Sequence, residues 1–115
     1  MAQYLALTYT ADVDWWAPEQ AGELAEYRQF ALDHAGAIAA SAVLHPTPTA
    51  TVVRVEGARG GKVVTTDGPY AETKEALTGY YLIEADDLEG AIAIAAQIPA
   101  AWNGAVEVRP VILAK

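Results

Sequence analysis

An α+β fold with a single sheet covered by helices on one side is predicted by three observations. Short apolar runs with a two-residue period recur along the chain. Two segments with helical spacing separate them. A Gly-rich turn joins two of the runs into a hairpin. The chain has 115 residues, enough for one domain, expected over 1–115, and too few for two ordinary ones.

The elements follow in order. Residues 3–9, QYLALTY, alternate so that Leu5, Leu7 and Tyr9 share one face and Tyr4, Ala6 and Thr8 the other. The loop TADVDWWA follows, and Pro18 suits the first turn of a helix over 18–35. In that helix Leu24, Tyr27, Ala31 and His34 recur at spacings of three and four, and Gly36 stops it. AIAASAVL at 37–44 reads as a strand, ended by the prolines of HPTPT. TATVVRVE at 49–56, the turn GARGG and KVVTT form a β-hairpin. TGYYLIEA at 78–85 is a strand of aromatic and β-branched character. Asp86 with Glu89 gives a capping box, and Leu88, Ala91, Ile92 and Ala95 the inward stripe of a second helix ended by Pro99. AVEVRPVIL at 105–113 closes the chain as a strand.

With the hairpin set aside, the order is βαββαβ, the split βαβ of ferredoxin-like domains. Its helices cover one face of the sheet only. The other face, read as carrying Tyr4, Ala6, Thr8, Glu107, Arg109 and Val111 together with one side of the hairpin, is neither cleanly polar nor cleanly apolar. That mixture suits a homodimer with sheets face to face around a partly polar cavity.

Composition excludes several functions. Apolar residues make up 53% of the chain, which excludes disorder, and no run approaches the ~20 residues of a membrane span. The start, MAQYLALTYT, lacks the basic and long apolar regions of a signal peptide, so a cytoplasmic location is expected. There are no cysteines for disulfides or thiolate metal sites. Net charge is −8, and the seven basic residues are scattered, so nucleic acid and anionic membranes are not expected partners. His34 and His45 lie far apart without ligand spacing, so neither a metal site nor any other cofactor is expected. GARGGK lies in a hairpin turn rather than before a helix, which argues against a phosphate loop. Ser41, the lone serine, sits in a strand, which argues against a nucleophilic hydrolase.

The stretch TTDGPYAETKE, 65–75, stands apart. Asp67 before Gly68-Pro69 is suited to an Asx-type turn or to capping a one-turn helix after Pro69. Partial burial would also raise its pKa and make it a general base. His45, ending a strand before Pro46, is the better acid–base partner. His34, in the last turn of its helix, fits a structural role beside the helix dipole. Arg54, Lys74 and Arg109 are candidate anchors for an anionic substrate group, although a salt-bridged interface residue is the favoured reading at Arg109. Of Tyr80 and Tyr81, which point to opposite faces, Tyr81 is taken as the substrate-facing one. Trp15 and Trp16 would plug the end of the cavity or staple the helix start.

DGPY at 67–70, ETKE at 72–75, GYYLIEA at 79–85 and EVRPV at 107–111 together resemble the YCII-related family, in its DGPF subgroup, with Tyr70 in the fourth motif position. The resemblance implies a ferredoxin-like domain that dimerises into an α/β-barrel-like assembly. Most members are uncharacterised. The resemblance implies for some a His–Asp enzyme, includes a fold-level likeness to a dehydrochlorinase of a chlorinated hydroxyquinone, and for DGPF proteins an association with extracytoplasmic-function sigma factors. Small YCII-type relatives carry the paired His in the first helix, at a position that falls near Ala25 here. The leading expectation is a cofactor-free lyase- or isomerase-like proton-transfer enzyme for a small metabolite. The alternative is a non-catalytic ligand-binding or regulatory module that meets a sigma factor or another protein.

Overall fold

The computed structural model describes residues 2–113. Six strands and three helices run β1 (Ala2–Thr10), α1 (Ala21–Asp33), β2 (Ile38–Val43), β3 (Thr51–Glu56), β4 (Lys62–Asp67), β5 (Ala76–Ala85), α2 (Leu88–Ala95), α3 (Ala100–Asn103) and β6 (Ala105–Pro110). Four strands form an antiparallel sheet in the order β2-β5-β1-β6, and β3 pairs with β4 in a separate two-stranded sheet. The fold is α+β, and the strand order is compatible with the expected ferredoxin-like arrangement.

The helix-facing side of β1 corrects the sequence reading. Tyr4, Ala6, Thr8 and Thr10 are the buried set, whereas Leu5, Leu7 and Tyr9 are half-buried on the open face. Both sets are apolar enough to be a core face, so alternation alone leaves the parity open. Residue size decides it. Ala6 meets a helical layer that is itself built from Ala91, Ala95 and Ala100, all buried, and small side chains on both sides let the layers close. The core continues through Phe30, Tyr81, Ile83 and Ile98. Phe30, the fully packed residue of α1, stacks edge-on against Tyr81 with ring centroids 5.0 Å apart, while Ala31 of the expected stripe is exposed.

Tyr81, expected in the substrate cavity, is therefore a core residue at 8% exposure, and its neighbour Tyr80 is on the open face. Register fixes that face: Leu5 lies opposite Leu82 and Arg109, Leu7 opposite Tyr80 and Glu107, and Tyr9 opposite Leu77.

The second helix also differs in detail. Its N-cap is Asp87 rather than Asp86, with the carboxylate accepting from Gly90 N at 2.8 Å. Of the expected inward stripe, Ala91 and Ala95 are inside, whereas Leu88 and Ile92 face solvent. The helix ends at Ala95, and Pro99 instead precedes the short α3. A 3-10 turn at Pro18–Gln20 leads into α1. The last strand stops at Pro110, which has no N–H to donate, although Val111 N still reaches Gln3 O at 2.9 Å.

The hairpin lies apart from the four-stranded sheet rather than extending its open face. Its two strands pair with each other and with no other strand among the described residues. The Cα radius of gyration is 16.2 Å. A compact domain of similar size has about 13 Å.

Candidate functional site

The base of the hairpin meets the end of the main sheet at a corner. After β2, Leu44 N donates to Thr78 O at 2.8 Å, which carries the pairing with β5 one residue further and delivers His45 to the sheet's end. Pro46 then starts a 3-10 turn at Thr47–Thr49, closed by Thr49 N and Thr49 Oγ1 on Pro46 O at 3.0 and 2.6 Å. On the other side β4 ends at Asp67, and Gly68 adopts φ +100°, a conformation that L side chains rarely take. Gly68 N donates to Ala50 O at 2.8 Å and so fastens this corner to the chain leaving the 3-10 turn.

A third segment ties in from the loop after β1. Asp12 accepts from Thr47 N at 3.1 Å and, through its other oxygen, from Thr47 Oγ1. Together these pieces bound an open hollow of about 1030 Å³, lined among others by Tyr9, Asp12, His45, Thr47, Tyr70 and Glu72. Its walls carry two carboxylates, one imidazole and a set of hydroxyls. Such a set can move protons and hydrogen-bond a polar ligand.

Among the residues expected from sequence, His45 is exposed and lines this hollow. Asp67 stands at its corner, but its carboxylate is exposed and makes no hydrogen bond among the described residues, and Gly68 and Pro69 rather than Asp67 form the wall. Residues 69–75 are irregular chain and bends, so the expected one-turn helix after Pro69 is absent, as is the cap by Asp67.

The three cations are not gathered in the hollow. Arg54 projects from β3 and its guanidinium lies 5.5 Å from the centre of the Tyr70 ring, a cation–π distance. Lys74 is exposed in the bend region. Arg109 is on the open sheet face, 3.8 Å from Glu107, with both side chains exposed.

Sequence reasoning missed Asp12, Thr47 and Tyr9 as wall residues. Asp12 and Thr47 are 35 positions apart and only the fold brings them together. Tyr9 alone carried a signal, as the last residue of an alternating strand.

The tryptophan pair splits. Trp15 is buried and packs edge-on against Tyr27 with centroids 5.5 Å apart, while Trp16 is 81% exposed. Beside Trp15 lies a second, small cavity of about 20 Å³, lined in part by Thr8, Tyr27, Thr78 and Tyr81. Thr8, Thr10 and Thr78 satisfy one another's buried hydroxyls here, at 3.1 Å between Thr8 and Thr78 and 3.3 Å between Thr10 and Thr78. Burial pushes the hydroxyls of Tyr27 and Tyr81 above their ordinary pKa, and the carboxylate of Glu23 raises Tyr27 further.

Fold and site define a small α+β protein with helices on one side of its sheet and, at the root of a hairpin, an open, mostly apolar hollow with a few polar side chains in its wall. The family model described as the YCII-related domain matches residues 2–115, and the chain belongs to that family. It is also similar to an uncharacterized protein of Rhizobium meliloti (strain 1021), 40% identical over 83 residues, which is 70% of this chain and 64% of that relative's length. No helix among the described residues is long and apolar enough to cross a membrane.

Proposed function

We propose that the chain is a cofactor-free proton-transfer protein acting on a small polar metabolite in the hollow at the DGP corner. The observation that carries this reading is the placement of His45 in one hollow with the DGP corner and with Asp12, whose carboxylate is fixed by Thr47. An imidazole can donate a proton from one ring nitrogen and accept one at the other. In this reading His45 and Asp67 are the acid–base pair, with Asp67 as a base that reaches the substrate from its exposed place at the rim rather than from the wall. Tyr9 and Tyr70 replace Tyr81 as the hydroxyls that orient the substrate. Arg54 and Lys74 flank the corner and meet an anionic group at the rim.

The open face of the sheet is the proposed homodimer interface, in a ferredoxin-like dimer with a barrel-like cross-section. Leu5, Leu7, Tyr80 and Leu82 supply its apolar centre, and Arg109 with Glu107 brings charge to the cavity between the sheets.

A second reading, a ligand-binding or regulatory module without turnover, draws on the hollow's width, which is at the upper end for a small-molecule pocket. One experiment separates the two. Wild type, His45→Gln and Asp67→Asn are screened by thermal shift against 2-oxo acids, enolisable ketones and hydroxyquinones. Stabilising compounds are then incubated with protein in D2O and followed by NMR. Catalysed C–H to C–D exchange that either substitution abolishes, with binding kept, is the expected result. Binding without exchange selects the second reading, and the absence of any stabilising compound overturns the first.

A further inference from the structure

The β3–β4 hairpin carries its own unfilled requirement. Val53, Val55 and Val63 lie on one of its faces, Val55 directly opposite Val63, and are 59%, 44% and 63% exposed. A two-stranded hairpin alone is marginally stable in water, and β-branched residues on an uncovered face gain little from being there. Nothing in its own chain covers this face among the described residues.

The same chain holds a second uncovered apolar surface, the open side of the main sheet, with Leu5, Leu7, Tyr80 and Leu82 half-buried. Charge is divided between the two. Arg54, Arg59 and Lys62, three of the seven basic residues, lie on the hairpin against only two acids, Glu56 and Asp67. The other thirteen acids lie in the rest of the chain, against four basic residues. Hairpin and body are thus complementary in charge as well as in apolar character.

We propose that the hairpin is an exchanged arm: its Val53–Val55–Val63 face seats on a second copy of this chain, along the open side of that copy's sheet, and its Arg59–Lys62 tip meets that copy's acidic body. A two-fold axis lets each copy give one arm and receive one, so both uncovered surfaces close in one symmetric assembly. The arm's root is the Asp67–Gly68 corner, so seating the arm also holds one wall of the hollow in place. The inference rests on the dimer reading above, and adds that each arm occupies part of the space between the two facing sheets, against the partner's open face.

The test uses the full chain. Light scattering and sedimentation give the wild-type dimer constant. Val53→Thr/Val55→Thr/Val63→Thr keeps β-branched residues and removes apolar surface, with circular dichroism checking the fold. It is expected to weaken the dimer at least about tenfold. Arg59→Glu/Lys62→Glu is expected to weaken it too, most at low salt. Because the chain has no cysteine, Val55→Cys can carry a single thiol-reactive benzophenone. Photolysis of that dimer, with one copy isotope-labelled, is expected to join residue 55 to β1 or β5 of the other copy. Cross-links confined to one chain, or an unchanged dimer constant in the valine variant, overturn the arm. If Leu5→Lys/Leu82→Lys dissociates the dimer while the arm variants do not, the sheet-face dimer stands and the arm alone fails. A wild-type monomer at all concentrations overturns both.

Discussion

Asp12 holds Thr47 twice, by the backbone amide at 3.1 Å and by the hydroxyl, across 35 residues of sequence. The pair joins the loop after β1 to the 3-10 turn that follows His45. It is the only side-chain tie between those two segments among the described residues, so it holds the loop after β1 against the turn beside His45.

Asp12→Ala should therefore loosen the hollow more than it destabilises the protein. Both partners border solvent, so the loss in unfolding free energy is expected to be about 1 kcal/mol, at the low end for a charged hydrogen bond. Amide exchange at Thr47 and Ala50 should rise by more than that global change accounts for. Equal loss of protection across the whole sheet would show that the tie acts globally instead.

The two adjacent aspartates before α2 should separate cleanly. Asp87→Ala removes the bond to Gly90 N and should cost about 1 kcal/mol by urea denaturation. Asp86→Ala, which removes no helix cap, should stay within about 0.5 kcal/mol of wild type. The reverse order of effects would place the cap at Asp86.

Trp15 and Trp16 form a similar contrast. Trp15→Ala should cost about 3–5 kcal/mol, because it empties the space against Tyr27. Trp16→Ala, at a site 81% exposed, should change stability by less than about 0.5 kcal/mol. Comparable urea midpoints for the two variants would contradict this packing.

These pairs also mark the limit of what the sequence discloses. Strands were legible wherever a two-residue period met Gly or Pro at its ends, as from Thr51 to Gly57. Which face of β1 turns inward was not, since Leu5-Leu7-Tyr9 and Tyr4-Ala6-Thr8 are both apolar enough and only the small residues of α2 decide. Asp86 and Asp87 are chemically identical candidates for one cap, and Trp15 and Trp16 for one packing site. That the chain leaves the sheet near His45 was legible because Pro46 stops the strand, although β2 itself already ends at Val43. The wall opposite it needed Asp12, and no local pattern ties Asp12 to Thr47.

The buried tyrosines predict how stability falls in alkali. Burial lifts the Tyr27 hydroxyl well above its ordinary value of 10.0, with the Glu23 carboxylate and then Tyr81 adding to it, and burial alone lifts Tyr81. In the unfolded chain both ionise near the ordinary value of about 10. Above that pH the unfolded state has lost protons the folded state still holds, so stability falls as pH rises. The stabilisation is complete below about pH 10 and is lost progressively towards the raised folded values. Tyr27→Phe removes one of the two contributions, so its urea midpoint should drop less than that of wild type between about pH 8 and pH 11. Tyr81→Phe should flatten the profile as well, because its ring keeps the contact with Phe30 and only the ionisable hydroxyl is gone. A wild-type midpoint that does not move over this range, or the same drop in both variants as in wild type, would mean that these hydroxyls ionise as readily in the folded protein as in the unfolded chain.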